Sequence, residues 1–441
     1  MTKRIEADLI ITGGIVLTMG EPDVIESGAV VVENSDIVFV GTADDAEAYT
    51  APTVIDAADC VVIPGLINGH THAAMTLLRG IADDLPLEQW LQNYIFPAEA
   101  RNLDDDFVYW GTKLACAEML LGGVTTFCDM YLFEDSAARA VRDMGMRGVM
   151  GEVLYDFESP NYGSIEKGFE YTETFIQTWK DDPLITPSVQ PHALDTCAPE
   201  LLVRAKEIAD THGVPLIVHV AETEGNREYV RGKHDASSFV YLDKLGVLGE
   251  NFVADHAVWV DDEEMEIMAE RGVSVITNPE SNMKLASGTA PIHRYRERGI
   301  TVGLGTDGAA SNNNLDMMGE MDTLAKLHKV SDADPTHLGA KEVLEIATIG
   351  GARALGLGEL TGSLAVGKMA DIAVLDFNKP HLTPMYDPFS HIVYAALASD
   401  VRDVIVGGVP RVRGRRLVTT DMDQIMANAI QLAERVRSSL K

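Results

Sequence analysis

The chain of 441 residues lacks the features of membrane-bound and exported proteins. No apolar run approaches the roughly 18 residues that a transmembrane helix needs. Residues 1–8, Met-Thr-Lys-Arg-Ile-Glu-Ala-Asp, contain no apolar signal core. We therefore expect a protein that is neither exported nor bound to a membrane and that resides in the cytoplasm.

Cysteine and basic residues are also scarce. The 35 Lys and Arg residues stand against 68 Asp and Glu, and the formal net charge of −33 opposes binding to nucleic acid or to anionic membranes.

No Gly-x-Gly-x-x-Gly follows a candidate strand, so a dinucleotide-binding fold is not indicated. Four cysteines without a Cys-x-x-Cys pair predict buried thiols in a reducing compartment. They are Cys60, Cys116, Cys128 and Cys197.

Short candidate strands and tight turns fill both ends of the chain. Residues 28–32 and 37–40 flank a hairpin turn, and residues 372–375 begin a similar region near the other end. We predict a small β-sandwich domain built from both termini, residues 1–63 and 363–441. A terminal helix should bury the stripe Ile425, Ala429, Leu432 and Val436.

The middle of the chain, residues 64–362, alternates candidate strands with amphipathic stretches such as 104–121 and 200–212. Eight strands in such an alternation match an α/β fold of the (β/α)₈ TIM-barrel type better than a doubly wound sheet. Barrels of this kind carry their active site at the carboxyl ends of the strands. The candidate strands are 61–67, 123–129, 148–155, 184–190, 214–220, 252–256, 273–277 and 301–306.

Two histidines follow the first candidate strand. An apolar, β-branched run is broken by a Pro-Gly pair at 64–65, and His70 and His72 follow the run at spacing i, i+2. On a strand this spacing directs both side chains to the same face, where they could bind a divalent metal. The alternative is two polar residues in a loop after an edge strand. The position directly after a buried run favours metal binding.

Three further candidate strands end in residues of the same chemical kind. The fifth ends in His219 with Glu222 three residues later, the sixth ends in His256, and the eighth ends in Asp307. Each residue alone could cap a helix or satisfy a backbone carbonyl. Their coincidence at the same end of successive barrel strands is much harder to explain by packing.

Together these motifs resemble the amidohydrolase superfamily in its mononuclear-metal branch. The matching motifs are Gly-His-Thr-His at 69–72, His-Val-Ala-Glu-Thr at 219–223, Asp-His at 255–256 and Gly-Thr-Asp-Gly at 305–308. Residues 70–91, 129–131 and 306–313 resemble the 5′-methylthioadenosine/S-adenosylhomocysteine deaminases in particular. The resemblance runs the whole length of the chain and includes the sandwich built from both ends.

The resemblance implies one divalent ion held by His70, His72, His219 and Asp307. Three imidazoles and one carboxylate suit Zn²⁺ and leave a position for water, and Fe²⁺ accepts the same ligand types. Related binuclear enzymes add a carboxylated lysine after the fourth strand. Residues 187–192 contain no lysine, which favours a single ion.

The implied reaction is hydrolytic deamination of adenine C6, which yields an inosine product and ammonia. Glu222 would protonate a ring nitrogen, while Asp307 and His256 would carry protons between the attacking water and the leaving amine. In the family, His256 lies beside the water rather than on the metal. Because Glu222 and Asp307 would exchange protons with the reacting groups, both would also contact the substrate.

Four more residues are implied as substrate contacts. Glu99 would accept the ribose hydroxyls and His192 would meet the sugar edge. Trp90 would close over the substrate, and Ser311 would lie near the adenine edge. The alternatives are a solvated helix residue for Glu99, a structural histidine for His192 and a helix anchor for Trp90.

The expected partner is a small nucleoside. Family members that take S-adenosylhomocysteine well have arginines after the third strand, whereas residues 151–160 are acidic and contain none. Methylthioadenosine and adenosine should therefore be preferred. The alternative activities are guanine or pterin deamination or triazine hydrolysis by the same machinery, and a non-catalytic scaffold is disfavoured because all ligands are present. Acidic barrels of this kind often pair, so a homo-oligomer is compatible with the sequence.

Overall fold

A barrel of parallel strands occupies the middle of the chain in the computed structural model, which describes residues 4–440. One half consists of Leu66–Thr71, Val124–Tyr131, Arg147–Leu154 and the short pair Ile185–Pro187 and Gln190–Pro191. The other half consists of Leu216–Val220, Phe252–His256, Ser274–Thr277 and Val302–Leu304. Almost every residue of these strands is buried, as expected for a sheet covered by helices.

Two seams close the barrel. At the first, isolated parallel bridges join Val189 to Leu216 and Ala193 to His219. The fourth and fifth strand positions are thereby neighbours, and a predicted ligand lies directly on the seam.

The second seam joins the last strand to the first. The N–H of Asp307 donates to the carbonyl of His70 at 2.9 Å, and a Cβ atom on Gly305 would lie 2.7 Å from the backbone nitrogen of His70. Only glycine allows this close approach. The seam therefore brings two predicted ligands together through the backbone.

Helices connect the barrel strands and begin at sequence-encoded caps. The Asp104 side chain, for example, accepts a hydrogen bond from Phe107 N at 2.8 Å and so starts the following helix. The α-helices from this region are Leu87–Trp90, Phe96–Asn102, Asp105–Leu121, Glu134–Met144, Ile165–Trp179, Pro199–His212, Glu224–His234, Ser238–Leu245, Asp262–Arg271, Pro279–Lys284, Ile292–Glu297, Met317–Ser331, Ala340–Glu345 and Gly351–Ala354. Ala73–Leu78 is a 3₁₀-helix, and Leu91–Ile95 and Ile346–Gly350 are π-helical.

A nine-stranded sheet combines both ends of the chain. Cys60–Pro64 pairs antiparallel with Ile372–Asp376, and residues of both ends, including Leu9, Val30 and Ile405, share one apolar core. The other strands of the sheet are Leu9–Leu17, Val24–Glu33, Asp36–Thr42, Thr53–Asp56, Val401–Val406, Val409–Arg413 and Arg416–Leu417. Ile5–Glu6 and Tyr49–Thr50 form a separate parallel pair. Short helices in the terminal regions are Ala43–Ala46, Pro380–Leu382, Pro388–Tyr394 and Ala398–Asp400.

The predicted fold class is confirmed, but two of the predicted strands are each divided into two shorter strands. The run at 61–67 is two strands, one in the terminal sheet and one in the barrel, which separate at Gly65. A Cβ there would lie 2.1 Å from Thr125 Oγ1. The run looks continuous in the sequence because both halves are buried. The strand at 184–190 is likewise broken in two.

The terminal helix covers Met422–Ser439 and buries Ile425, Ala429, Leu432 and Val436, as the sequence predicts. All four cysteines are free and buried. Within residues 4–440, no helix combines the length and apolar character needed to cross a membrane. The division into residues 1–63, 64–362 and 363–441 stays a proposal about the folding units.

Candidate metal and substrate site

The four predicted ligands converge at the carboxyl ends of the barrel strands. His70 Nε2 lies 3.2 Å from His219 Nε2. Asp307 Oδ1 lies 3.2 Å from His72 Nε2 and 3.7 Å from His70 Nε2. Ligand atoms of the three histidines all lie within 4.8 Å of one another. Three imidazoles and a carboxylate around one point form a donor set that suits a single divalent ion.

The second ring nitrogen of each histidine faces an acceptor. In His72 and His219, where Nδ1 contacts a backbone carbonyl, the Nε2 lone pair of a neutral ring is left for a metal, and the ring orientation is fixed. Nδ1 of His70 lies close to Asp255 Oδ2 but without hydrogen-bond geometry. This arrangement supports a metal centre rather than a group of packed histidines. The acceptors are Asp255 Oδ2, 2.9 Å from His70, the Met130 carbonyl, 2.5 Å from His72, and the His192 carbonyl, 2.7 Å from His219.

Asp307 is held in its charged form. Burial favours the neutral acid, but hydrogen bonding to His72 and the charge of His70 outweigh it and hold the pKa of Asp307 well below its usual range. The backbone N–H of Gly308 and the hydroxyl of Ser281 each donate to its carboxylate at 2.6 Å. An ionised carboxylate in this position can act as a ligand and can accept a proton.

Strained backbone accompanies these residues. Ala221, His256 and Asp307 have φ values of 50°, 67° and 63°, in the left-handed region that non-glycine residues seldom adopt. Such conformations cost on the order of 1–3 kcal/mol each and occur preferentially at functional sites. Here they turn the chain as it leaves the fifth, sixth and eighth strand positions.

His256 and Glu222 are further titratable groups of this site. The His256 ring centroid lies 5.5 Å from those of His70 and His219, and its Nδ1 is 2.9 Å from Asn282 Oδ1. Burial alone would lower its pKa, but the charges of Glu222 and Asp307 raise it. Burial raises the pKa of Glu222. Both shifts favour the protonated form of the side chain.

A cavity of about 450 Å³ opens from the ligand cluster. This volume lies within the range of small-molecule sites. Every residue predicted to contact substrate lines its wall. These residues are Trp90, Glu99, His192, Glu222, Asp307 and Ser311.

Glu99 is buried and held by a partner that the sequence did not reveal. Tyr131 Oη donates to Glu99 Oε1 at 2.6 Å. Burial, opposed by this hydrogen bond, raises the pKa of Glu99 to about 7. Glu99 is thus not the solvated helix residue of the alternative interpretation.

The other three residues predicted to contact substrate are fixed by local hydrogen bonds. Trp90 Nε1 donates to the carbonyl of Ala82 at 3.1 Å, so this side chain both anchors its helix and lines the cavity. His192 Nδ1 lies 2.8 Å from Thr196 Oγ1, and burial lowers the pKa of His192 to about 4. Its ring is therefore neutral at pH 7. The Ser311 hydroxyl donates to the Gly308 carbonyl at 3.0 Å.

Asp129 is a supporting residue that the sequence interpretation missed. Its Oδ1 accepts hydrogen bonds from Ala73 N at 2.7 Å and from the Thr71 hydroxyl at 3.2 Å, so it fixes the segment that carries two of the candidate ligands. Tyr131 follows on the same strand at spacing i, i+2. Residues at this spacing at the end of an apolar run share one face of the strand, and this pattern could have identified both as site residues.

The acidic stretch at 151–160 differs from the expectation. Glu158 alone among Glu152, Asp156 and Glu158 lines the cavity. Glu152 is 1% exposed and accepts a hydrogen bond from Glu134 N at 3.0 Å. Asp156 accepts one from Ala198 N. Only one of the three carboxylates can therefore act on a bound substrate directly.

Comparison with known proteins establishes the class. The amidohydrolase family profile matches residues 61–411, which is most of the chain. The protein belongs to the amidohydrolase family, as its motifs predicted.

Three similar proteins are named as deaminases. A 5-methylthioadenosine/S-adenosylhomocysteine deaminase from Syntrophobacter fumaroxidans is 54% identical over 98% of this chain and 99% of its own length. A 5′-deoxyadenosine deaminase from Methanosarcina mazei is 44% identical over 97% and 98%. The crystal structure of an adenosine deaminase from Xanthomonas campestris with bound zinc has a TM-score of 0.97 at 38% identity and covers 99% of this chain and 100% of that one.

Proposed function

We propose that this protein is a metal-dependent hydrolase that deaminates 5′-substituted adenosines. The reaction replaces the amino group at adenine C6 and yields an inosine product plus ammonia. The observation that carries the proposal is the convergence of His70, His72, His219 and Asp307 at one end of a nucleoside-sized cavity. The names of the relatives, all of them deaminases of adenosine compounds, support the same reaction.

His70, His72, His219 and Asp307 would hold one divalent ion. We propose Zn²⁺, and Fe²⁺ fits the same donors. When bound, such an ion lowers the pKa of a coordinated water towards neutrality and supplies a nucleophile at pH 7. The zinc in the Xanthomonas campestris structure supports this choice of metal.

The proton transfers are assigned to three residues. Glu222, whose pKa is raised by burial, would donate a proton to the adenine ring as water adds to C6. Asp307 is ionised and can accept a proton from the attacking water. His256 can pass a proton to the departing amine, since the charges around it favour the protonated ring.

The sugar would be bound by Glu99 and His192. The Glu99 carboxylate, oriented by Tyr131, is suited to accept hydrogen bonds from vicinal hydroxyls. His192 is neutral and can offer its free ring nitrogen. Trp90 would cover the bound nucleoside, and Ser311 would lie near the base.

Among substrates we place methylthioadenosine and adenosine ahead of S-adenosylhomocysteine. The name of the Methanosarcina mazei relative adds 5′-deoxyadenosine as a candidate. Location in the cytoplasm and pairing into a homo-oligomer stay predictions from composition.

A substrate panel scored by ammonia release tests the proposal. Purified enzyme loaded with Zn²⁺ is assayed with methylthioadenosine, 5′-deoxyadenosine, adenosine and S-adenosylhomocysteine, and with guanine, a pterin and a triazine as the contrasting set. We expect turnover of the adenosine compounds alone. Turnover restricted to the contrasting set would contradict the proposal.

A further inference from the structure

We propose that Tyr155, Phe157 and Glu158 form a subsite at the cavity mouth for the 5′ substituent of the substrate. This subsite, the 5′ shelf, accepts uncharged or cationic thioethers and rejects anionic ones. The inference rests on the proposed function and specifies which 5′-substituted adenosines that function takes.

A series of rings leads from the metal ligands to the 5′ shelf. The His219 and His192 ring centroids lie 5.1 Å apart, and those of His192 and Tyr155 lie 6.3 Å apart. The Tyr155 and Phe157 rings then stack at 3.9 Å with an interplanar angle of 10°. A ligand with its base near His219 and its sugar at His192 would therefore reach Tyr155 and Phe157 with its 5′ end.

Phe157 is unusually exposed for a residue in a cavity wall. Its side chain is 45% exposed, yet it lines the cavity and lies 6.3 Å, centroid to centroid, from Phe96. Phe96 lies one helical turn before Glu99, so the apolar wall continues outward from the proposed ribose contact. An exposed aromatic ring at this position would be covered by an apolar 5′ group.

Acidic side chains outnumber the permanently basic ones in the cavity wall. Within residues 4–440, no lysine or arginine lines it, whereas five carboxylates do. A 5′ carboxylate or phosphate on the 5′ shelf would find no lysine or arginine there, but an ammonium group would meet Glu158 and aromatic faces. The acidic wall residues are Glu99, Glu158, Asp195, Glu222 and Asp307.

Four nucleosides with the same base and ribose test the shelf. They carry a 5′-hydroxyl, a methylthio, a 2-aminoethylthio and a carboxymethylthio group, and kcat/KM is measured for each. Burial of a methylthio group should favour methylthioadenosine over adenosine by about tenfold. The aminoethyl compound should exceed the carboxymethyl compound by about tenfold at low salt and by less at high salt.

Two variants with matched controls assign the effects to the shelf. Glu158→Lys should bring the aminoethyl to carboxymethyl ratio to about one or below, whereas Glu207→Lys, the same charge change on an exposed residue outside the cavity wall, should leave it near the wild-type value. Phe157→Ala should lower the methylthioadenosine to adenosine ratio severalfold. Tyr229→Ala removes an exposed aromatic residue elsewhere and should not change that ratio.

The outcomes separate the two proposals. Ammonia release from all four compounds at equal efficiency, or best from the carboxymethyl compound, would overturn the 5′ shelf and leave the deaminase assignment intact. No ammonia from any of the four would overturn the deaminase assignment and the shelf with it.

Discussion

The carbonyl oxygen of His192 accepts two hydrogen bonds from His219, one from the backbone N–H at 3.0 Å and one from ring Nδ1 at 2.7 Å. Because a carbonyl can only accept, Nδ1 of His219 carries the proton and Nε2 is free to bind a metal. His192 thus orients the candidate metal ligand His219 through its backbone while its own ring lines the cavity.

This arrangement predicts different outcomes for two histidine substitutions. His192→Ala keeps the carbonyl, so the protein should retain its metal while KM for the nucleoside rises. His219→Ala removes a ligand and should lose both metal and activity. Elemental analysis together with steady-state kinetics distinguishes the two variants. Loss of metal from His192→Ala equal to that from His219→Ala would contradict the assignment.

Glu222→Gln should lower kcat while leaving the metal in place. Glutamine keeps the size of the side chain but cannot cycle a proton, and general acid–base groups typically contribute about 10²–10⁴-fold. We therefore expect at least a hundredfold loss in kcat with unchanged metal content. Activity within a few-fold of wild type would show that the ring proton comes from another group.

Glu99 should be responsible for the recognition of ribose. A hydrogen bond to a charged group contributes about 1.5–3 kcal/mol, so wild-type enzyme should prefer methylthioadenosine over its 2′-deoxy analogue by about ten- to a hundredfold in kcat/KM. Glu99→Ala should erase most of this preference. Tyr131→Phe removes only the hydrogen bond that orients the carboxylate and should erase less of it. Equal losses on both substrates in Glu99→Ala would disprove the ribose contact.

Glu152 should make stability depend on pH. Burial raises the pKa of Glu152 to about 8, against 4.5 for the ordinary value. The folded protein therefore keeps this proton where the unfolded chain has lost it. The contribution of Glu152 to stability is fully present below pH 4.5 and falls as the pH rises towards 8, by at most about 1.4 kcal/mol per pH unit.

Glu152→Gln cannot ionise, so the free energy of unfolding should decline less steeply between pH 5.5 and 7.5 than in wild type. Urea unfolding at several pH values in this window measures the slope. Glu207→Gln, an exposed counterpart, should keep the wild-type slope. A slope in Glu152→Gln as steep as that of wild type would mean that Glu152 is ionised in the folded protein.

The barrel and the convergence of its candidate ligands were predictable because strands and strand ends leave local patterns in the sequence. Buried strands appear in the sequence as apolar runs, and the histidines and Asp307 lie at the ends of such runs. The break at Gly65 was not predictable, since the strands on either side are both buried, one in each sheet. Burial alone does not say against which sheet a residue packs.

Contacts between segments that lie far apart in the chain could not be predicted from the sequence. Tyr131 and Glu99 lie 32 residues apart, and no periodic pattern connects them. Glu152 was grouped with the acidic residues at 151–160 that were expected to act on the substrate, whereas the structure buries it within the strand Arg147–Leu154. The stacking of Tyr155 on Phe157 likewise depends on where that strand ends.

Incubation with methylthioadenosine in H₂¹⁸O tests the central claim of hydrolytic deamination most directly. The metal-loaded enzyme should form an inosine product that carries one ¹⁸O at C6, with one ammonia released per molecule of product. Mass spectrometry and an ammonia assay of the same sample measure both quantities. Free adenine, or a product without the label, would contradict attack of water on C6.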